Sequence, residues 1–249
     1  MSNITVLNEW YKKPIGAALL QSELAGLSEV LPKIFGYYIM QMGSQTNNSE
    51  VLAASHIHNR IIVNPDTTLP LIDDSLTIQC QPDELPFLPE SIDAVIMFHA
   101  LEFTQKPKLI LKEIYTALMF NGYAIIFGFN PYSLWGISSL WQKKSKEMPW
   151  LGNWISPGYM RRYLAKVGFS VGDYKTFYFR PPSNNPEQLL FLERVGQFFW
   201  PCCGASYMII AQKTVTPLTP IRPLFSLAKH LKTAKALPKP TARISQCNK

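Results

Sequence analysis

Residues 85 to 136 decide the fold, and they read LPFLPESIDAVIMFHALEFTQKPKLILKEIYTALMFNGYAIIFGFNPYSLWG. Ile92 to Phe98 is an apolar run that a single aspartate interrupts, and Tyr123 to Phe129 is a second apolar run. Between them, Lys108 to Met119 carries apolar residues at helical intervals, and Asn121-Gly122 is predicted to end this helix in a left-handed cap. The pattern predicts two parallel strands joined by a right-handed helical crossover.

Neither apolar run alternates cleanly with polar residues, which predicts strands in the middle of a sheet covered on both faces. A chain of 249 residues is long enough to bury a full core, and the simplest division is an α/β domain over 1–214 followed by a tail over 215–249. Further strands are predicted at Tyr37 to Met42, Arg60 to Val63 and Leu76 to Cys80.

The motifs of this stretch resemble the second half of a class I S-adenosylmethionine-dependent methyltransferase of the type 11 group. The shared features, in order, are Leu85-Pro86-Phe87, Ser91 to Val95, His99 to Glu102, Glu113 and Asn121-Gly122. The ending from Gly128 to Gly136 also resembles a bacterial branch of that group. The resemblance implies a Rossmann-like fold with a mostly parallel sheet, an antiparallel edge strand near the C-terminus, helices on both faces, and S-adenosylmethionine as cofactor.

The resemblance implies that the turn after the first strand holds the methionine end of the cofactor. Here that region reads Gln41-Met42-Gly43-Ser44, with one glycine and no acidic residue, so Gln41 and Gly43 are the candidates. The alternative for Gly43 is an ordinary strand-to-helix turn. The family's ribose-binding acid after the second strand corresponds to Asp66, with Asn64 as a weaker alternative. Either residue alternatively only caps the turn.

Three further cofactor candidates precede or belong to the LPF turn. Gln81 stands where the family has an aspartate that binds the adenine amino group, and Asp83 is an alternative to it. Phe87 either faces the adenine or fills the core. Only twelve residues separate the second and third strand candidates, too few for a crossover helix with two loops. This predicts either a local rearrangement of the sheet or a different pairing of the third strand.

His99 is the candidate catalytic residue, because it follows a strand at the edge of the sheet where ligands of open α/β sheets bind. Its functional interpretation is a general base or a group that positions the acceptor, and its structural interpretation is a histidine that stabilises the strand end. Glu102 is interpreted as a local cap or ion-pair partner. Asn130, Tyr132 and Trp135 belong to a loop predicted to line the acceptor side.

The aromatic segment from Leu134 to Trp154 contains lysines, and it is interpreted as an insertion that folds over the site. A nucleic-acid or membrane contact is the alternative. The net charge of +7 resides in the tail, since eight cations and no acid lie beyond residue 211 and the preceding residues sum to −1. This charge agrees with a solvated tail. It agrees equally with a tail that binds RNA, anionic lipid or an acidic protein.

Four cysteines with neither disulfide nor metal-ligand spacing predict free thiols and a cytoplasmic protein. No apolar run is long enough to span a bilayer. The leading functional prediction is therefore methyl transfer from S-adenosylmethionine to an unidentified acceptor. The alternative is a binding or scaffold protein that keeps the fold without catalysis, since the first turn lacks its acid.

Overall fold

The computed structural model describes residues 3–44, 52, 54–64, 76–142, 148–182 and 190–214. The chain divides between Val215 and Thr216 into two units, and every element below belongs to the first. The strands are β1 Tyr38–Gly43, β2 Asn59–Asn64, β3 Leu76–Gln79, β4 Ile92–Phe98, β5 Leu118–Phe129, β6 Phe169–Phe177 and β7 Ser206–Lys213. The helices are α1 Asn3–Tyr11, α2 Pro14–Ser28, α3 Pro107–Ala117, α4 Leu134–Gln142, α5 Pro157–Val167 and α6 Leu190–Phe199, with a 3-10 turn at Leu31–Lys33.

The strands form one sheet in the order β3-β2-β1-β4-β5-β7-β6. The five strands from β3 to β5 are parallel, while β7 is antiparallel to both β5 and β6. This is the mostly parallel, Rossmann-like sheet that the sequence predicts. Parallel strands end at the same edge, so the residues that follow β1 to β5 collect along one side of the molecule.

Both faces of the central strands are buried, as their lack of alternation predicts. One face packs against α3 and α5, through residues such as Val95, Ile114 and Leu164. The other face packs against the end of α2 and the turn that follows it, through residues such as Ile96 and Leu27. A third apolar cluster lies at the carboxyl edge, where α1 and α2 meet Phe129.

The predicted end of the α3 helix is wrong. The helix stops at Ala117, because Leu118 already has the extended conformation that opens β5. Asn121 does have the positive φ of 63° that its Asn-Gly sequence favours, but the residue lies inside β5. Gly122 lies so close to β4 that a Cβ there would stand 2.9 Å from the carbonyl oxygen of Asp93. The Asn-Gly pair therefore permits close strand contact rather than a helix cap.

The third strand pairs as in an ordinary crossover fold, despite its short connection. β3 is parallel to β2, with Ile61 opposite Leu76 and Asn64 opposite Gln79. This excludes the different pairing of β3 that the short connection suggested. Residues 65–75, which include Asp66, lie outside the described part of the chain.

The residues at the two ends of α5 explain where this helix starts and stops. Ser156 caps the helix by accepting a hydrogen bond from the backbone N–H of Tyr159 at 3.3 Å, and Pro157 occupies the first turn. Gly168 ends the helix in a left-handed conformation, with φ 119°. The chain then continues directly into the edge strand β6.

Candidate cofactor and acceptor site

The candidate site lies where the order of the chain reverses across the sheet. Successive strands run outward from β1 to β3, and the chain then returns to place β4 on the other side of β1. Ligands of open α/β sheets bind outside the carboxyl ends of the strands at such a point. Gly43 ends β1 there, and His99 follows the end of β4.

Gly43 allows the end of β1 to approach β4 closely. Its φ is 95°, and a Cβ at this position would collide with the carbonyl oxygen of Phe98. The same carbonyl accepts a hydrogen bond from the backbone N–H of Ser44 at 2.9 Å. Only glycine combines this conformation with this contact at low cost, so the backbone of the turn fits the predicted glycine position.

Side chains from α1 and β1 hold this turn in place. The amide nitrogen of Gln41, a fully buried residue, donates to the carbonyl oxygen of Ser44 at 3.2 Å. The hydroxyl of Ser44 donates to the side-chain oxygen of Asn8 at 2.8 Å. Helix α1 therefore covers the crevice between β1 and β4, and Gln41 supports the turn from within.

His99 is enclosed between two carboxylates at the end of β4. Its Nε2 lies 3.1 Å from Oε1 of Glu23 on α2, and its Nδ1 lies 3.2 Å from Oε1 of Glu102. The side chains of His99 and Glu23 have no exposed surface, and that of Glu102 is 2% exposed. Since both ring nitrogens face carboxylate oxygens, the ring donates from both nitrogens as an imidazolium.

The electrostatics of this cluster agree with a charged histidine. Burial by itself would lower the pKa of His99, but the charges of Glu23 and Glu102 outweigh it and raise that pKa from 6.5 to about 10. The backbone of His99 also has a positive φ of 49°, which is uncommon outside glycine. The contacts with the two carboxylates fix the position of the ring at this strand end.

One oxygen of the cluster has no hydrogen-bond partner. Both oxygens of Glu23 are engaged, since Tyr11 donates to Oε2 at 3.4 Å. Oε1 of Glu102 accepts from the backbone N–H of Phe129 at 2.7 Å as well as from His99. Oε2 of Glu102 is buried without a partner among the described residues. No described hydrogen bond offsets the carboxylate charge at that atom.

The predicted residues around the LPF turn follow β3 and lie near the same edge. Gln81 is exposed, and Asp83 accepts a hydrogen bond from Nζ of Lys106 at 2.8 Å. This hydrogen bond lowers the pKa of the Asp83 carboxyl. Phe87 is half-buried and packs against the core on the α3 face of the sheet. The adenine contacts predicted for these residues remain predictions.

The loop after β5 contains the predicted acceptor-side residues, which differ in accessibility. Asn130 is fully buried, and its amide nitrogen donates to the carbonyls of Cys202 at 2.8 Å and Gly204 at 2.9 Å. Trp135 is 1% exposed and donates from Nε1 to the carbonyl of Arg180. Tyr132 is 69% exposed. Among the three, only the side chain of Tyr132 is open to an approaching molecule in this conformation.

The segment after this loop packs over the carboxyl end of β5. The ring of Trp154 stacks on Phe129 with centroids 5.1 Å apart, and Trp150 contacts both Trp154 and Trp135. Phe129 in turn lies 4.0 Å from the ring of His99. The described ends of the predicted insertion therefore cover the cluster from the β5 side, while residues 143–147 lie outside the description.

Sequence reasoning missed Glu23 and Tyr11 as members of the site. A signal for Glu23 was available, because the buried face of α2 includes Leu19, Leu20, Glu23 and Leu27 at helical intervals. A glutamate on an apolar helix face requires a partner in the core. Nothing in the sequence indicated that this partner is a histidine 76 residues away.

Comparison with known proteins finds a domain match and one curated relative. Residues 48–126 match the methyltransferase domain of the type 11 family. The Escherichia coli K12 protein YafS is 25% identical over 212 residues, which cover 84% of this chain and 82% of YafS. No described helix has the length and apolarity needed to cross a membrane.

Two solved structures share the fold. A SAM-dependent methyltransferase of Thermotoga maritima has a TM-score of 0.62 and 20% identity, with 83% of this chain and 94% of that chain covered. A SAM-dependent methyltransferase of Archaeoglobus fulgidus has a TM-score of 0.56 and 18% identity, with 77% and 93% covered. The domain match over residues 48–126 and the likeness to these two structures show a Rossmann-like methyltransferase fold.

Proposed function

We propose that this protein transfers a methyl group from S-adenosylmethionine to an acceptor that enters beside the loops after β4 and β5. The observation that carries the proposal is the crevice between β1 and β4, with Gly43 in a left-handed conformation at its edge. When bound, S-adenosylmethionine supplies a methyl group on a positively charged sulfur that keeps the electron pair of the broken carbon–sulfur bond. The protein's task is to hold the two reactants in line.

The described residues at the crevice fit this cofactor. Gly43 leaves its backbone free of a Cβ at the turn, and the buried cluster of two carboxylates and one imidazolium carries a net negative charge. A negative charge complements a cationic ligand. In this proposal Gln41 and Gly43 form the methionine end of the site, and Asp66, Gln81, Asp83 and Phe87 form its adenosine end.

His99 serves in this proposal as a positioning residue. Its raised pKa and its two engaged nitrogens leave it without a free lone pair at neutral pH, so the geometry does not support the predicted role as a general base. It instead holds the carboxylates of Glu23 and Glu102 together beneath the crevice. Tyr132 is the exposed acceptor-side candidate, while Asn130 and Trp135 shape the loop that presents it.

The direct test is isothermal calorimetry of the full chain with S-adenosylmethionine and S-adenosylhomocysteine. We expect binding of both, and transfer of labelled methyl from S-adenosylmethionine to a component of a cell extract. Absence of binding at millimolar concentrations of both ligands would contradict the proposal. Gly43→Ala should abolish binding, whereas Gly158→Ala, whose new Cβ would meet nothing within 4 Å, should leave it intact.

A binding or scaffold role is the second candidate function. The observation that favours it is the complete enclosure of His99 beneath α1 and α2. A scaffold protein would bind cofactor without turnover, or bind none. Cofactor-dependent methylation of any extract component that disappears in Gly43→Ala would exclude it.

A cytoplasmic location is part of the proposal. Cys80, Cys202 and Cys203 are free thiols in the described part of the chain, which agrees with a reducing compartment. Alkylation of the native protein purified under anaerobic conditions tests this point. We expect all four cysteines of the chain to react once the protein is unfolded, without prior reduction.

A further inference from the structure

We propose that Glu102, held by His99 and linked through it to Glu23, makes the crevice prefer the cationic methyl donor over its neutral demethylated product. This inference rests on the proposed methyl transfer and assigns a specificity-determining role that the sequence did not predict for Glu102. Three observations support it: the charge of the cluster, the unpartnered oxygen, and the position of the cluster beside the crevice.

The charge follows from the contacts. Two carboxylates flank one imidazolium, so the cluster carries one net negative charge when all three groups are ionised. Tyr11 donates to Glu23 as a neutral hydroxyl and does not cancel that charge. No described lysine or arginine makes an ion pair with Glu23 or Glu102. The negative charge is therefore left for a ligand to balance.

The unpartnered oxygen marks the part of the cluster where the negative charge is least compensated. Oε2 of Glu102 is buried, while Oε1 is already engaged by His99 and by the backbone N–H of Phe129. Buried polar atoms in folded proteins are nearly always satisfied, and an unsatisfied one calls for a specific explanation. A bound cation close to Glu102 stabilises this atom through the field even without direct contact, because the surrounding interior screens charge weakly.

The cluster borders the crevice on two sides. His99 directly follows Phe98, whose carbonyl accepts from the N–H of Ser44 in the turn after β1. On the other side, Glu102 accepts from the N–H of Phe129 at the end of β5. The negative charge thus lies beside the ends of the three strands that frame the reaction site.

The change of charge during methyl transfer lets the negative charge of the cluster distinguish the donor from the product. Methyl transfer leaves the bonding electron pair on sulfur, so the cofactor's sulfur changes from a charge of +1 to neutral. The acceptor takes up the positive charge with the methyl group or releases a proton to solvent. A fixed negative charge therefore attracts the donor more than the product. This difference favours exchange of product for fresh donor after each turnover.

The test compares the affinities of S-adenosylmethionine and S-adenosylhomocysteine by calorimetry at pH 7. Glu102→Gln keeps the shape of the side chain and removes its charge. We expect it to weaken binding of S-adenosylmethionine by about tenfold relative to the product, as expected for a nearby charge at intermediate screening. Glu102→Asp keeps the charge and should largely restore the ratio.

The control is Glu29→Gln, which makes the same change of charge at an exposed residue paired with Lys175. It should leave the affinity ratio unchanged. If Glu102→Gln does not fold, Glu23→Gln removes the same charge from α2, and its ratio decides the matter. If Glu102→Gln leaves the ratio of the two affinities unchanged, whether or not both ligands bind more weakly, this inference alone is overturned. Failure of the unaltered protein to bind either ligand overturns the proposed function and this inference together.

Discussion

Glu23 and His99 stand 76 residues apart in the sequence, yet their side chains meet at 3.1 Å with no exposed surface on either. The contact fastens α2 to the carboxyl end of β4. Since His99 also contacts Glu102, and Tyr11 contacts Glu23, a single polar network joins both N-terminal helices to the sheet. The helices that cover the crevice are therefore attached by buried charge as well as by apolar packing.

Removal of Glu23 should destabilise the protein. Glu23→Leu has a side chain of similar size, but it leaves the imidazolium of His99 with one carboxylate and Tyr11 without its acceptor. Breaking one partner out of a buried ion pair costs about 3–5 kcal/mol. Urea denaturation should show a loss of this order in the free energy of unfolding, whereas Glu29→Gln on the surface should leave the midpoint unchanged. An unchanged midpoint in Glu23→Leu would mean that the network contributes nothing to stability.

The stability of the protein should fall as the pH rises from neutral to alkaline. His99 has a pKa near 10 in the folded protein against 6.5 for an unperturbed histidine, so the folded state binds its proton more tightly. The contribution of His99 to the free energy of unfolding is complete below about pH 6.5 and is lost as the pH approaches 10. The groups that face the ring are Glu23 and Glu102, with Tyr11 behind Glu23.

The measurement is the free energy of unfolding between pH 6.5 and pH 10, in the unaltered protein and in His99→Asn. The difference between the two proteins should shrink across this window, because the variant lacks the group that titrates. Ionisable groups outside this cluster affect both proteins alike and cancel in the comparison. A difference that stays constant with pH would show that His99 does not carry the proton in the folded state.

The sequence predicted the sheet better than the site, for physical reasons. The apolar run Ile92 to Phe98 coincides with β4, because a strand buried on both faces is marked by its own residues. Asn121-Gly122 was misread, because the pair favours a left-handed conformation without specifying whether a helix end or a strand uses it. The contact between Glu23 and His99 depends on how α2 lies against the sheet, which no local pattern records.

Replacement of Gly43 should damage both the fold and the crevice. In Gly43→Ala the new methyl group would collide with the carbonyl of Phe98, and φ of 95° is unfavourable for alanine. We expect a loss of about 1–3 kcal/mol in stability and loss of cofactor binding. Gly158→Ala is the matched control, since it lies in the first turn of α5 with open space around it. Alanine there should stabilise the helix slightly, and thermal melting and calorimetry distinguish the two variants.

Asn130 should matter for the order of the acceptor-side loop. Its amide nitrogen joins the loop after β5 to the carbonyls of Cys202 and Gly204, and its amide oxygen accepts from the backbone N–H of Tyr132 at 3.1 Å. Asn130→Asp replaces the donor with an oxygen that faces both carbonyls, so the two bonds are lost and repulsion is added. We expect a loss of about 2–6 kcal/mol in stability, because each of the two carbonyls left unsatisfied costs about 1–3 kcal/mol.

Hydrogen exchange measured by mass spectrometry locates the effect of Asn130→Asp. Peptides that cover residues 129–136 and 200–206 should exchange faster in the variant, because both segments lose the side chain that joins them. Tyr132→Phe, in the same loop, removes a hydroxyl from a residue that is 69% exposed and should leave exchange unchanged. If only the first segment loosens, then the segment around Cys202 is held by other contacts, such as the hydrogen bond from the N–H of Ala205 to the carbonyl of Tyr178. In that case Asn130 would orient Tyr132 without fastening the two loops together.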